Sequence, residues 1–275
     1  MNSKKRNIII IAIVVILIPA VAVLLFSRGK KDSSGTYKDD YKTAAVSGDI
    51  DETVSKAILE HYSGNFLKGE CEAEGHVAME IEDTGSKTIV YALVKYAEFG
   101  FESGVFTDIS GGSNPAVITI DKLTGKYDFK EPRDGSYYSE DIHDMFPETC
   151  HAKILNADGY SKEMWNQMSV YARKYLDSIG RDAEILTYTA FEHHHLSEYG
   201  ITEEVLEAVD EKCDYFPDGN GNRERIEDGV RYVYSTEYDR ESELIKYTKY
   251  EYDTEKTVLY IEVNSKTGEI VTCNE

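Results

Sequence analysis

Residues 70–98 read ECEAEGHVAMEIEDTGSKTIVYALVKYAE. Two strand-like segments, 70–81 and 87–98, carry alternating apolar side chains on either side of Asp83-Thr-Gly85-Ser86, a turn-forming cluster. A period of two flanking such a cluster predicts a β-hairpin. The pattern recurs downstream, where Ala116–Ile120 and Tyr127–Lys130 flank Lys122-Leu-Thr-Gly125. The glycine-containing stretch 100–114 between the two hairpins reads as a loop.

Helical spacing appears on both sides of these hairpins. Ile50, Val54, Ala57, Ile58 and Tyr62 recur at intervals of three and four from Asp49 to about Asn65, and Asp49 with Glu52 resembles a capping box. Ser139–Phe146 predicts a short helix stopped at Pro147. From Ser161 to Ile179, Met164, Trp165, Met168, Tyr171, Ala172, Tyr175 and Leu176 form one apolar face. Thr202 is an N-cap residue before Val205, Leu206 and Val209, and strands are expected near 230–237, 243–252, 256–264 and 269–273. Antiparallel runs with helices set apart from them indicate an α+β class, with helices packed on antiparallel sheets. Tyrosine outnumbers phenylalanine 21 to 9, which favours half-buried strands with one solvated face.

The amino terminus is different in kind. Ile8–Phe26 is an unbroken apolar run of nineteen residues with no charge and one proline, Pro19. At ~1.5 Å per residue such a helix spans about the ~30 Å hydrocarbon core. The rival reading, a cleaved signal peptide, has an apolar region of only about 7 to 15 residues. Lys4, Lys5 and Arg6 before the run balance Arg28, Lys30 and Lys31 after it, so flanking charge leaves orientation open. The export-like first 27 residues, with all four cysteines beyond them, favour an extracytoplasmic C-terminal domain. The expected organisation is a cytoplasmic tail (1–7), a transmembrane signal-anchor helix (8–26), a juxtamembrane linker (27–48), an α+β ectodomain (49–185) and a smaller α+β ectodomain (186–275). The chain is thus expected at the cell membrane, in contact with lipid through one helix.

Six of the 30 basic residues fall within residues 1–31, which hold no acid, leaving 24 against 51 acidic residues and a formal charge of −27. Phosphate backbones are bound by clustered Lys and Arg, so this balance excludes a nucleic-acid partner. It fits cations, basic peptides or cationic surface polymers, or simple solubility of an exported domain. Cys71, Cys150, Cys213 and Cys273 are too widely spaced for paired zinc ligands. In an oxidising compartment the pairing that stays within each half is Cys71 with Cys150 and Cys213 with Cys273, the alternative being free thiols such as a buried Cys213.

Tyr91-Ala-Leu-Val94, Glu98-Phe-Gly-Phe101, Pro115–Thr119 and Pro132–Tyr138, followed by Ile142 and Phe146-Pro147, resemble the extracytoplasmic domain that follows the membrane metallopeptidase of beta-lactam-sensor antirepressor proteins in Gram-positive bacteria. The resemblance covers about residues 50–180 and implies an extracytoplasmic sensory role in the envelope. It carries over no site residue, and the peptidase part, with its His-Glu-x-x-His motif, is absent from this sequence. The last hairpin, LYIEVNSKTGEIV, is PepSY-like.

Three places carry candidate chemistry. Glu192-His193-His194-His195 would present His193 and His195 on one face of a strand, needing a third ligand to hold zinc or copper. Asp218, Asn220 and Asn222 occupy positions 1, 3 and 5 of a Ca2+ loop with Glu224 at position 7, but Arg223 replaces the Gly of position 6 and Gly229 the Glu of position 12. That stretch reads either as a calcium site or as a plain loop of turn formers. Pro132, Asp134, Tyr137 and Tyr138 form a turn with two adjacent aromatics, one of which could face a protein or peptide ligand. The isolated histidines suggest no site, and no nucleophile elbow, P-loop or dinucleotide fingerprint occurs. The expected function is a membrane-anchored binding or sensory module without catalysis. The alternatives are an envelope-acting enzyme, including a metal-dependent hydrolase, and a calcium-stabilised structural protein.

Overall fold

The computed structural model describes residues 48–274 except Asp210, Glu211 and Asp214. The apolar run 8–26 and most of the expected linker lie outside the described residues. No helix among the described residues is long and apolar enough to cross a membrane.

The fold is α+β. Helix α1 (Gly48–Tyr62) precedes β1 (Cys71–Asp83), β2 (Lys87–Glu102), β3 (Val105–Asp121) and β4 (Tyr127–Lys130). Then come α2 (Tyr138–Met145), α3 (Glu148–Leu155), α4 (Ser161–Ser178) and the two-residue strands β5 (Ile185–Leu186) and β6 (His194–His195). A short α5 (Glu203–Leu206) leads into the meander β7 (Gly219–Glu227), β8 (Val230–Asp239), β9 (Leu244–Glu251), β10 (Thr257–Asn264) and β11 (Ile270–Asn274). The hydrogen-bonded path runs β11-β10-β9-β8-β7-β2-β3-β4, with β1 beside β2. Pairing is antiparallel except between β3 and β5.

Strand β2 is buried on both faces, which explains its near-continuous apolar sequence IVYALVKYAEFGF. On one face Val90, Ala92, Val94 and Tyr96 pack under Val54, Ala57 and Ile58 of α1. On the other, Tyr91 and Leu93 meet Phe146, Cys150 and Met164, and Phe99 and Phe101 meet Met168, Ala172 and Leu176. The expectation of one solvated face fails here because helices cover both sides. The tyrosine excess has another cause, recurrent pairing with glutamate: Tyr62–Glu131, Tyr96–Glu98, Tyr171–Glu74, Tyr175–Glu70, Tyr234–Glu227 and Tyr260–Glu262. A phenol that donates to a carboxylate lets the acid enter a packed region with its acceptor filled.

The expected loop 100–114 is instead a hairpin. Glu102 pairs with Val105 across Ser103 and Gly104, whose φ values of 50° and 84° suit a two-residue primed turn. Because β1 begins at the Cys71–Phe99 pair, the last residues of β2 overhang it, and Glu102 pairs there with Arg223 of β7. The core changes along the chain from three clusters around β2 to one built by Leu196, Val205, Phe216, Tyr234, Tyr247 and Ile261, within a continuous sheet path.

The outer edge of β1 is covered rather than left open. Gln167 of α4 accepts from the His76 N–H at 2.9 Å and donates to its carbonyl at 2.8 Å, and Lys153 donates to the Met79 carbonyl. Such cover removes an edge that would otherwise template aggregation. Gly75 permits it, since a Cβ there would lie 2.2 Å from the Met164 carbonyl oxygen. Gly180 ends α4 at φ 66°; its N–H bonds the Asp177 carbonyl and the Arg181 N–H the Leu176 carbonyl, a Schellman pattern that aims Arg181 at β7.

The expected disulfides are not formed. Cys71, Cys150 and Cys273 are free thiols, so Cys213 cannot be bridged to Cys273. Cys71 begins β1, whereas the Cys150 sulfur lies 4.0 Å from Glu80, nine residues along the same strand. At ~3.3 Å per residue this is roughly 30 Å, far beyond the ~7 Å Cα limit of a disulfide.

Candidate functional site

Two of the sequence-predicted stretches meet where β6 pairs with β7. His194 pairs with Asn220 and His195 with Gly219, so the histidine run lies against the Asp218–Asn222 segment. Gly219 is required there, because a Cβ would come within 2.5 Å of the His194 carbonyl oxygen. His193 is held between the rings of Tyr188 and Phe191, each at 4.1 Å, with one ring nitrogen 2.6 Å from the Tyr188 carbonyl oxygen. His193 and His195 do share a side, their rings stacked at 5.7 Å. The cleft they line with Glu102, Asp218 and Arg223 has about 20 Å³ of free space, room for a water rather than a substrate.

Residues 219–227, read as a loop or calcium site, form strand β7. The extended backbone sends Asn220 Oδ1 to the Tyr238 N–H at 2.7 Å. Glu224 is buried between two arginines, with Arg181 Nη1 at 2.5 Å and Arg231 Nη1 at 2.8 Å. Asp218 remains exposed beside the cleft. Among the described residues no group of three or more His, Cys, Asp or Glu is placed to hold a metal ion.

Pro132–Tyr138 forms the turn into α2. Pro132 is buried; Arg133 donates from its backbone, Nε and Nη2 to Asp141, whose carboxyl is held down at about 2 by that guanidinium. The Arg133 guanidinium lies 4.4 Å above the ring of the exposed Tyr137, and Asp134 is exposed beside them. Tyr138 turns partly inward, its hydroxyl pKa raised by burial and by Asp134. Tyr137 is thus the ring presented outward, on a rigid base. Arg133, which supplies that base, was not among the residues singled out from sequence.

A groove of about 500 Å³ lies between the α5 segment, Phe216–Asp218 and Tyr247 of β9. Ile201, Leu206, Val209, Phe216 and Tyr247 form its floor, the Cys213 side chain lines it, and His195, Glu203, Glu207 and Asp218 stand around it. The volume lies in the range of small-ligand and side-chain pockets. The sequence signal for it was faint: α5 is a single turn, with Thr202 at its N-cap position but no side-chain cap bond.

No family model, curated protein or solved structure matches this chain.

Proposed function

We propose that the chain is a membrane-anchored, extracytoplasmic binding or sensory module without catalytic activity, and that its ligand is a basic, partly apolar peptide or protein segment. The groove carries the reading. An apolar floor ringed by Glu203, Glu207 and Asp218, on a domain of formal charge −27, fits a cationic side chain on an apolar stem. The resemblance of residues 50–180 to an extracytoplasmic sensory domain and the apolar run 8–26 support the anchored part of the proposal.

The test is calorimetric titration of the full chain, held in lipid nanodiscs, with a Lys/Leu peptide and with its Glu/Leu counterpart at physiological salt. The basic peptide should bind. Glu203→Gln with Glu207→Gln should weaken it about 2- to 30-fold, since exposed charges contribute about 0.2–1 kcal/mol each. Equal binding by wild type and variant would assign the affinity to diffuse charge and reject the groove, and no binding would reject the ligand class.

A further inference from the structure

His76 sits in the middle of β1 with 5% of its surface exposed, and each ring nitrogen faces a carboxylate. Nδ1 is 3.0 Å from Glu74 Oε2 on its own strand, and Nε2 is 3.1 Å from Asp51 Oδ1 on α1. Glu74, only 2% exposed, accepts the Tyr171 hydroxyl of α4 at 3.0 Å on its other oxygen. A neutral imidazole donates through one nitrogen only, whereas the imidazolium satisfies both acceptors. Burial alone would push the His76 pKa down, but Glu74 and Asp51 outweigh it and raise the value. Glu74 is correspondingly lowered against its own burial by His76, Ser55 and Tyr171.

The charged and titratable groups facing His76 are Glu74 from β1, Asp51 from α1 and, through Glu74, Tyr171 from α4. Of these Asp51 is the open one, its side chain 56% exposed, which gives the proton a path to solvent. Asp51 also sits where α1 is least embedded. Asp49, Asp51 and Glu52 are exposed, and the first fully buried side chain of the helix is Val54. The first turn is therefore held to the sheet by the Asp51–His76 contact and the packing of Ile50.

We propose that Asp51, His76 and Glu74 form a proton-operated latch that fixes the first turn of α1 to β1. The latch is closed below the ordinary imidazole value and opens as pH rises through the raised value of His76 in the fold. It acts at the end of the domain that continues into residues 1–47, and it stands whether or not the groove takes a basic peptide.

The test uses the full chain in lipid nanodiscs, with 13C-labelled histidine rings and isoleucine δ1 methyls, titrated by NMR. The His76 signal, assigned by its loss in His76→Gln, should titrate above ~6.5. The Ile50 methyl should shift with the same midpoint. Asp51→Asn should lower that midpoint and should free Ile50 from it. Should His76→Gln not fold, the signal is assigned as the one that moves in Asp51→Asn, whose substituted side chain is exposed. A His76 signal at or below the ordinary value, an Ile50 methyl that does not follow it, or no ring signal displaced by Asp51→Asn would each overturn the latch.

Discussion

Arg231 closes on Glu70 through two hydrogen bonds, of 2.5 and 2.7 Å, joining the start of β1 to β8 across 161 residues. The side chains are 13% and 5% exposed, and the same guanidinium reaches Glu224. Tyr175 donates to Glu70 at 2.7 Å, and Arg181 lies 3.6 Å above the ring of Phe101 while bonding Glu224. The last residues of β2, the end of α4 and strands β7 and β8 are thus tied by one buried network. Breaking a buried pair by removing one partner costs about 3–5 kcal/mol, because the other charge is left unpaired. Arg231→Met should therefore destabilise the chain by about that much in urea unfolding. Adding Glu70→Gln should cost less than the two single losses combined, the sign of direct coupling.

The tyrosine–glutamate pairs predict a late alkaline transition. Burial first, and then the partner carboxylates Glu74 and Glu70, push Tyr171 and Tyr175 up to about 12. In the unfolded chain tyrosine ionises near ~10. A raised folded value means stability is fully present below pH ~10 and is lost as pH rises toward about 12. Ultraviolet titration should show these phenols ionising together with unfolding. In Tyr171→Phe with Tyr175→Phe the loss of stability over that window should be smaller.

Calcium is predicted not to stabilise the protein specifically. Glu224 already neutralises two arginines and Asn220 is bonded to the Tyr238 N–H, so ligation at Asp218, Asn220, Asn222 and Glu224 would first have to break these bonds. A specific site would add about 2.7 kcal/mol at ~100 times its dissociation constant. Melting in calcium should match melting in sodium chloride of equal ionic strength. A calcium-specific rise that vanishes in Asp218→Ala would show that the site exists.

The last four strands and α4 were legible in the sequence because their periodicity is local: Ser161–Ser178 falls within the expected 161–179, and β8 to β11 follow the expected ranges closely. Strand β7 was not, because glycine and asparagine at 219–222 favour turns and its pairing with β6 and β2 is set by distant residues. Helix α3 escaped notice for another reason, since its two buried residues, Cys150 and Ile154, are too few to define a period. The Glu74–His76 pair carried a faint local signal, two polar residues at strand spacing amid apolar neighbours, but Asp51 and Tyr171 arrive from other elements. The pairing of Arg181 and Arg231 with Glu70 and Glu224 had no signal at all, because acids and bases at such separations follow no pattern until the fold places them.

The claim that the domain faces the outside of an anchoring membrane can be read directly at Cys273, an exposed thiol on β11. Intact cells expressing the full chain are treated with a membrane-impermeant maleimide, with Cys273→Ser as the control. An outward-facing domain predicts labelling without lysis that is lost in Cys273→Ser. Labelling of Cys273 only after the membrane is broken would contradict the orientation, and with it the proposal of an extracytoplasmic binding module.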